Sequence, residues 1–135
     1  MPRLSVLAVS ARLPDWAEAA CAEYQKRMPK GYEVARIAVR HEARLRAALP
    51  RNARLVALDE RGKDCTTRQF AGLLKSETTF VIGGPDGLSE EIRKEAALLL
   101  RLSSMTLPHA LAQVVLLEQI YRAASMLSGH PYHRE

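Results

Sequence analysis

Apolar positions along this chain fall in short blocks whose period switches between that of a strand and that of a helix. "RLSVLAVS" (3–10) is short and rich in Val and Leu, which predicts a buried strand. Pro14 and Asp15 open a helix expected to run to about Arg27, with Pro29 and Gly31 ending it. "YEVARIAV" (32–39) predicts a second strand, followed by a short helix from Glu42 to Leu49 that stops at Pro50. "RLVALD" (54–59) predicts a third strand, and "CTTRQFAGLLKS" carries Thr66 and Gln69 at the spacing of a capping box. "TTFVIGG" (78–84) is the clearest strand. Ser89 then suits the N-cap of a helix from Glu90 to Leu98, whose positive end Glu90 and Glu91 favour. "LLLRLSSMTL" (98–107) starts as a fifth strand and becomes a loop ending at Pro108. A long last helix is expected from Ala110 to Ser128, with Gly129 as its C-terminal cap.

Strands alternating with helices imply a single α/β domain over residues 1–135 with a mainly parallel sheet. No repeat, low-complexity tract or internal linker divides it. In such sheets ligands bind beyond the carboxyl ends of the strands. The loops after strands three, four and five are therefore the ones to examine.

Charge adds a direction to this picture. The net charge is +5, but the first 77 residues hold 15 Lys/Arg against 9 Asp/Glu, and the rest are slightly acidic. The excess is densest at Arg40, Arg44, Arg46, Arg51 and Arg54, a distribution that suits a phosphate backbone as well as it suits a solvated helix face. Cys21 and Cys65 form no C-x-x-C pair, so a reduced, cytoplasmic protein is expected. The first apolar run is too short for a convincing leader and is cut by Arg12. No stretch is apolar for the ~20 residues that a membrane span needs.

Four places can carry chemistry. In "VIGGPDGLS", Gly83, Gly84 and Gly87 surround the end of the fourth strand, where glycines let backbone approach a ligand closely. The spacing is neither G-x-G-x-x-G nor that of a P-loop, and no acid ends strand two, so a dinucleotide or triphosphate site is disfavoured. A tight strand-to-helix turn is the plain alternative. In "LSSMTLPHAL", backbone groups around Ser103, Ser104 and Thr106 can wrap a planar ring while Leu102, Met105 and Leu107 supply apolar walls. The plain alternative is a connector whose hydroxyls cap the last helix. That helix is apolar around most of its circumference, well beyond one stripe, which favours a homodimer interface, with a second layer of the same domain as the plain alternative. Finally, the chain ends "SGHPYHRE". His130 and His133 have metal-ligand spacing but no Cys or carboxylate cluster, so metal is disfavoured. Tyr132, His133 and Arg134 would suit an anionic, aromatic substrate such as a nucleotide, but on these residues alone an unstructured end is favoured. His41 and His109 read as ordinary polar residues.

"PDW…EY…R", "VALDERGK", "FVIGGPDGL", "LSSMTLPHAL", "EQIYRA" and the terminal "HPYHRE" occur in the order found in the RlmH family, and over nearly the whole chain the sequence resembles that family. Its members are pseudouridine-N3 methyltransferases of bacterial large-subunit ribosomal RNA within the SPOUT superfamily. The chain departs from the family between strands two and three, where it is shorter; the Arg40–Arg54 cluster is expected to replace RNA contacts made there.

The resemblance implies a SPOUT-type α/β domain with a C-terminal trefoil knot, acting as a homodimer on ribosomal RNA or the assembled ribosome, with no membrane and no metal. It implies a bent S-adenosylmethionine held by Leu58, Gly83, Gly84 and the run Leu102, Ser103, Ser104, Met105, Thr106 and Leu107. It assigns His130, Tyr132, His133 and Arg134 to the RNA substrate. Within that set, His133 is expected to accept the imide proton and Arg134 to stabilise charge on a ring oxygen. Tyr132 stacks on a base or orders the tail, which acts in its own or the neighbouring subunit. The alternatives are a SPOUT enzyme for another RNA base and a non-catalytic RNA-binding domain of the same fold.

Overall fold

A computed structural model describes residues 3–132. Five strands, β1 (Leu4–Val9), β2 (Val34–Val39), β3 (Arg54–Asp64), β4 (Thr78–Ile82) and β5 (Leu98–Arg101), form one sheet in the order β2-β1-β4-β3-β5. Every pairing is parallel, so the mainly parallel sheet expected is parallel throughout. Four helices connect the strands, α1 (Asp15–Arg27), α2 (Glu42–Ala48), α3 (Thr67–Ala71) and α4 (Glu90–Glu95), and α5 (His109–Ser128) follows the last strand. No helix among the described residues is long and apolar enough to cross a membrane.

The sheet is covered on both faces, which is why its central strands are apolar at nearly every position. Leu4, Val6 and Ala8 of β1, Val56 of β3, and Phe80 and Ile82 of β4 point into one layer with α1, α3 and α5. Leu7, Ala57 and Val81 point into the other, against Leu45 of α2 and Ile92 of α4. Phe70 of α3 stacks on Phe80 with ring centroids 5.4 Å apart. Helix starts follow the local chemistry. Thr66 and Gln69 make both bonds of the capping box, and Ser89 Oγ accepts from the Ile92 N–H. Gly129 closes α5 in the left-handed conformation at φ 75°.

Two boundaries differ from the pattern-based reading. α4 stops at Glu95, because Ala96 turns to extended backbone and Leu98 already belongs to β5. β5 is four residues long and gives way to the expected loop at Leu102. β3 does not end at Asp59. It pairs with β5 through Leu58↔Leu100, leaves the ladder over residues 59–62, and returns as Lys63↔Leu100 and Asp64↔Arg101. The Asp59 side chain folds this excursion by accepting the Arg61 N–H at 2.7 Å. Gly62 then crosses β5 so closely that a Cβ there would sit 2.7 Å from the Leu99 carbonyl carbon and oxygen. Arg101 clamps the returning segment with a two-pronged pair to Asp64, at 2.8 and 2.7 Å.

The wide apolar surface of α5 is largely used within one chain. Leu116, Leu117, Ile120, Ala123 and Ala124 are fully covered, with α1 and α3 packed alongside. Leu111 remains 37% exposed, and Val114 and Val115 are half-buried. The second-layer explanation therefore accounts for much of the arc, and Leu116 and Ile120 are core positions.

Candidate active site

The carboxyl ends of β3, β4 and β5 open into one continuous cleft with two lobes. The smaller, about 150 Å³, is mostly apolar: Leu58, Ile82, Leu100, Leu102, Met105 and Leu107 form its walls, with Ser103, Thr106 and Arg101 at its edge. The larger, about 480 Å³, is more polar and lies between the β3 excursion and the loop after β4. Glu60, Arg61, Asp86, Arg93 and His109 line it together with Gly83, Gly84 and Gly87. Leu58, Asp59, Glu60, Ile82, Leu107 and Ala112 border both lobes, so one ligand can span them.

Each wall has a local cause. After β4, the Gly87 N–H donates to the Gly84 carbonyl at 2.9 Å around Pro85 and Asp86, and Gly87 takes φ 76°. At Gly83 a Cβ would lie 2.6 Å from the Gly87 carbonyl carbon and 2.7 Å from the Leu88 nitrogen, so this turn folds only because Gly83 has no side chain. Gly84 is looser, its Cβ position being 3.4 Å from Val9. After β5, the Met105 N–H donates to Ser103 Oγ at 2.9 Å, curling the loop on itself. Ser103 therefore shapes its own loop; the N-cap of α5 is Pro108, with no side-chain bond. Met105 is 77% exposed at the mouth of the apolar lobe.

The electrostatics are of mixed sign. Arg93 of α4 approaches Asp59 at 2.9 Å with both side chains largely covered, at 19% and 11% exposure, which pins the β3 excursion to α4. Glu60 and Asp86 stay exposed beside them. His109 lies within 2.8 Å of the buried Gln113 carboxamide, and burial pushes its pKa below the usual imidazole value. Burial thus disfavours the charged form of this ring on the wall of the polar lobe.

Of the sequence-derived cofactor residues, Leu58, Gly83, Gly84, Leu102, Ser103, Met105, Thr106 and Leu107 all line the cleft; Ser104 is adjacent in the loop but not among its lining residues. Sequence reasoning missed Asp59, Glu60, Arg93 and His109. "LDERG" held a signal for the first two, since an Asx turn next to a glycine interrupts a strand. His109 was passed over because one histidine in a helix start has no pattern of its own.

The described tail residues, His130 and Tyr132, lie elsewhere. Tyr132 packs against Tyr121 with centroids 4.4 Å apart, and neither it nor His130 borders the cleft. His130 is exposed, 6.5 Å from the Tyr121 ring. His133 and Arg134 lie outside the described residues. The arginine cluster is also divided. Arg40 follows the carboxyl end of β2, Arg44 is in the first turn of α2, and Glu42 Oε1 accepts the Ser89 N–H at 2.8 Å, so this end borders the cleft loops. Arg54 opens β3 at the amino ends of the strands, away from the cleft, with Arg51 just before it. Arg46 is engaged with Glu95 at 2.8 Å.

The chain is 44% identical to the Ribosomal RNA large subunit methyltransferase H of Paraburkholderia xenovorans (strain LB400), covering 98% of this chain and 99% of that protein. It is 43% identical to the same-named protein of Laribacter hongkongensis (strain HLHK9), over the same shares. The alignment with the first runs to 154 positions against 135 residues here, so this chain is the shorter one. Among solved structures, the SpoU methyltransferase AviRb from Streptomyces viridochromogenes, in complex with AdoMet, superposes with a TM-score of 0.57 at 16% identity. That match takes in 96% of this chain and 59% of AviRb, and it speaks for the fold. The family described as "Predicted SPOUT methyltransferase" matches residues 2–133, and this chain belongs to it.

Proposed function

We propose that this protein is an S-adenosylmethionine-dependent methyltransferase that methylates N3 of a pseudouridine in large-subunit ribosomal RNA, as a knotted homodimer. The observation that carries the reading is the end-to-end likeness to methyltransferases named for large-subunit ribosomal RNA. The cleft supports the cofactor. An apolar lobe with backbone edges suits a planar adenine, and a polar lobe with carboxylates and guanidinium groups suits a zwitterion bearing an extra positive charge. Leu58, Leu102 and Leu107 would hold the ring. The Gly83–Gly84 backbone would lie against the chain of the ligand, and Glu60 and Asp86 favour a sulfonium by charge. The excursion of β3 across β5 at Gly62 supports a threaded C-terminal half, and Leu111 with its half-buried neighbours supports pairing of copies through α5.

When bound, S-adenosylmethionine supplies a methyl group whose bond electrons remain on sulfur as the carbon passes to the ring nitrogen. The protein's task is placement and the imide proton. His133 accepts that proton, and Arg134 stabilises negative charge on the neighbouring ring oxygen. His130 and Tyr132 belong to the same tail, and the packing of Tyr132 on Tyr121 supports a role in ordering it.

Calorimetry should show S-adenosylmethionine binding, and mass spectrometry of ribosomal RNA from cells lacking the protein should show one missing N3-methyl group. An unchanged methylation pattern would overturn the reading. RNA should be held mainly at the cleft edge. Replacing Arg40 and Arg44 by Ala is expected to weaken ribosome binding and to lower its salt dependence by about one phosphate contact each. The Arg51 and Arg54 pair, at the amino ends of the strands, should matter little in the same filter-binding titration.

A further inference from the structure

The "EQIYRA" segment of α5 is not used by the cleft, yet its polar residues converge on one point. Glu118 Oε2 accepts from Arg122 Nη2 at 2.8 Å and from the Tyr132 hydroxyl at 3.0 Å. Glu118 Oε1 takes the Gln119 amide at 2.7 Å. The Arg122 guanidinium lies over the Tyr132 ring, 4.9 Å from its centroid. Tyr121 packs against the same ring with centroids 4.4 Å apart and is itself 5.9 Å from the Tyr24 ring. The i, i+3 and i+4 spacing of Glu118, Tyr121 and Arg122 puts all three on one face of the helix. They seize the one half-buried residue of a stretch, His130 to Tyr132, that is otherwise exposed.

We propose that Glu118, Tyr121 and Arg122 are positioning residues for methyl transfer: they fix Tyr132 on the α5 surface, and so set the point from which His133 and Arg134 reach the target base. The inference rests on the reading above, in which the tail works at the reacting base. A charged acceptor holding the Tyr132 hydroxyl at 3.0 Å fixes the point from which the chain continues. The same anchor explains the phenol itself, whose pKa is pushed up to about 12 by burial first and by the Glu118 carboxylate next. The tyrosine stays protonated and keeps donating.

The test is a double-mutant cycle on methylation of ribosomes taken from cells lacking the protein. Tyr132→Phe keeps the ring on Tyr121 and removes only the donor; Glu118→Gln removes the charged acceptor. Each should lower kcat about tenfold, with cofactor affinity and fold retained. The double variant should fall no further than either single one. Arg122→Lys should lose less than Arg122→Ala, because the charge over the ring persists. Losses that multiply in the double variant, or a shared loss of cofactor affinity, would make these residues structural and overturn the proposal. Where Glu118→Gln lowers Tm, Tyr132→Phe alone decides, since it removes a single atom near the chain end. Single variants at wild-type kcat also overturn it, provided a chain truncated after Tyr132 is inactive. If that truncated chain is fully active, the tail reading itself fails, and the anchor with it.

Discussion

Truncation after Tyr132 is expected to abolish methyl transfer while leaving the domain folded and its cofactor affinity near wild type. The cut removes His133, Arg134 and Glu135 and keeps every contact of Tyr132 with Glu118, Tyr121 and Arg122. A cut before His130 would confuse two effects, because it would also strip the aromatic cover from Tyr121. A positioned proton acceptor contributes roughly a hundredfold or more to such reactions. Loss of the acceptor and the neighbouring charge together should leave turnover close to background. Single-turnover assays, with calorimetry for the cofactor, separate the two effects. Full activity in the truncated chain would remove the tail from the reaction. The truncated chain also tests where the tail acts. Mixed with a variant whose cofactor loop is blocked, it should regain activity if each tail serves its neighbour. If each tail serves its own subunit, every site keeps one defect.

The order of elements was open to reading because each strand is a compact apolar block, cut off by Pro, Gly or a helix cap. Ser89 and Thr66 announce their helices by chemistry that acts within four residues. What stayed hidden depends on contacts distant in sequence. The second half of β3, "ERGKD", is polar and looks like a loop; it is a strand only because β5, some forty residues later, supplies Leu100 and Arg101 as partners. Likewise, the arginines from Arg40 to Arg54 are one cluster in sequence. The run of α2 from the end of one parallel strand to the start of the next carries them to opposite ends of the strands, and Glu95 takes Arg46 out of the set. The cleft was half legible for a related reason. Glycines and a small-polar loop after strands four and five mark backbone approach. The Asp59–Arg93 pair and the placing of His109 join separate elements, and no local spacing reveals them.

The two glycines after β4 should prove unequal, although the sequence presents them as a pair. Gly83→Ala is expected to weaken S-adenosylmethionine binding by roughly tenfold or more and to lower Tm, whereas Gly84→Ala should stay near wild type on both counts. A methyl on Gly83 meets backbone, not a flexible side chain, at 2.6 Å from Gly87 and 2.7 Å from Leu88. Backbone cannot swing aside, so the turn over residues 84–87 must shift, and with it the wall of the polar lobe. A methyl on Gly84 finds Val9 at 3.4 Å, and it points toward β1 instead of into the lobe. Larger residues at Gly84 would therefore act on packing against Val9 before they touched a ligand. Calorimetry on both variants decides the matter. If Gly84→Ala proved the more damaging to binding while both proteins stayed folded, the ligand would have to lie on the β1 side of the turn, and the two-lobed cleft would lose its claim to the cofactor.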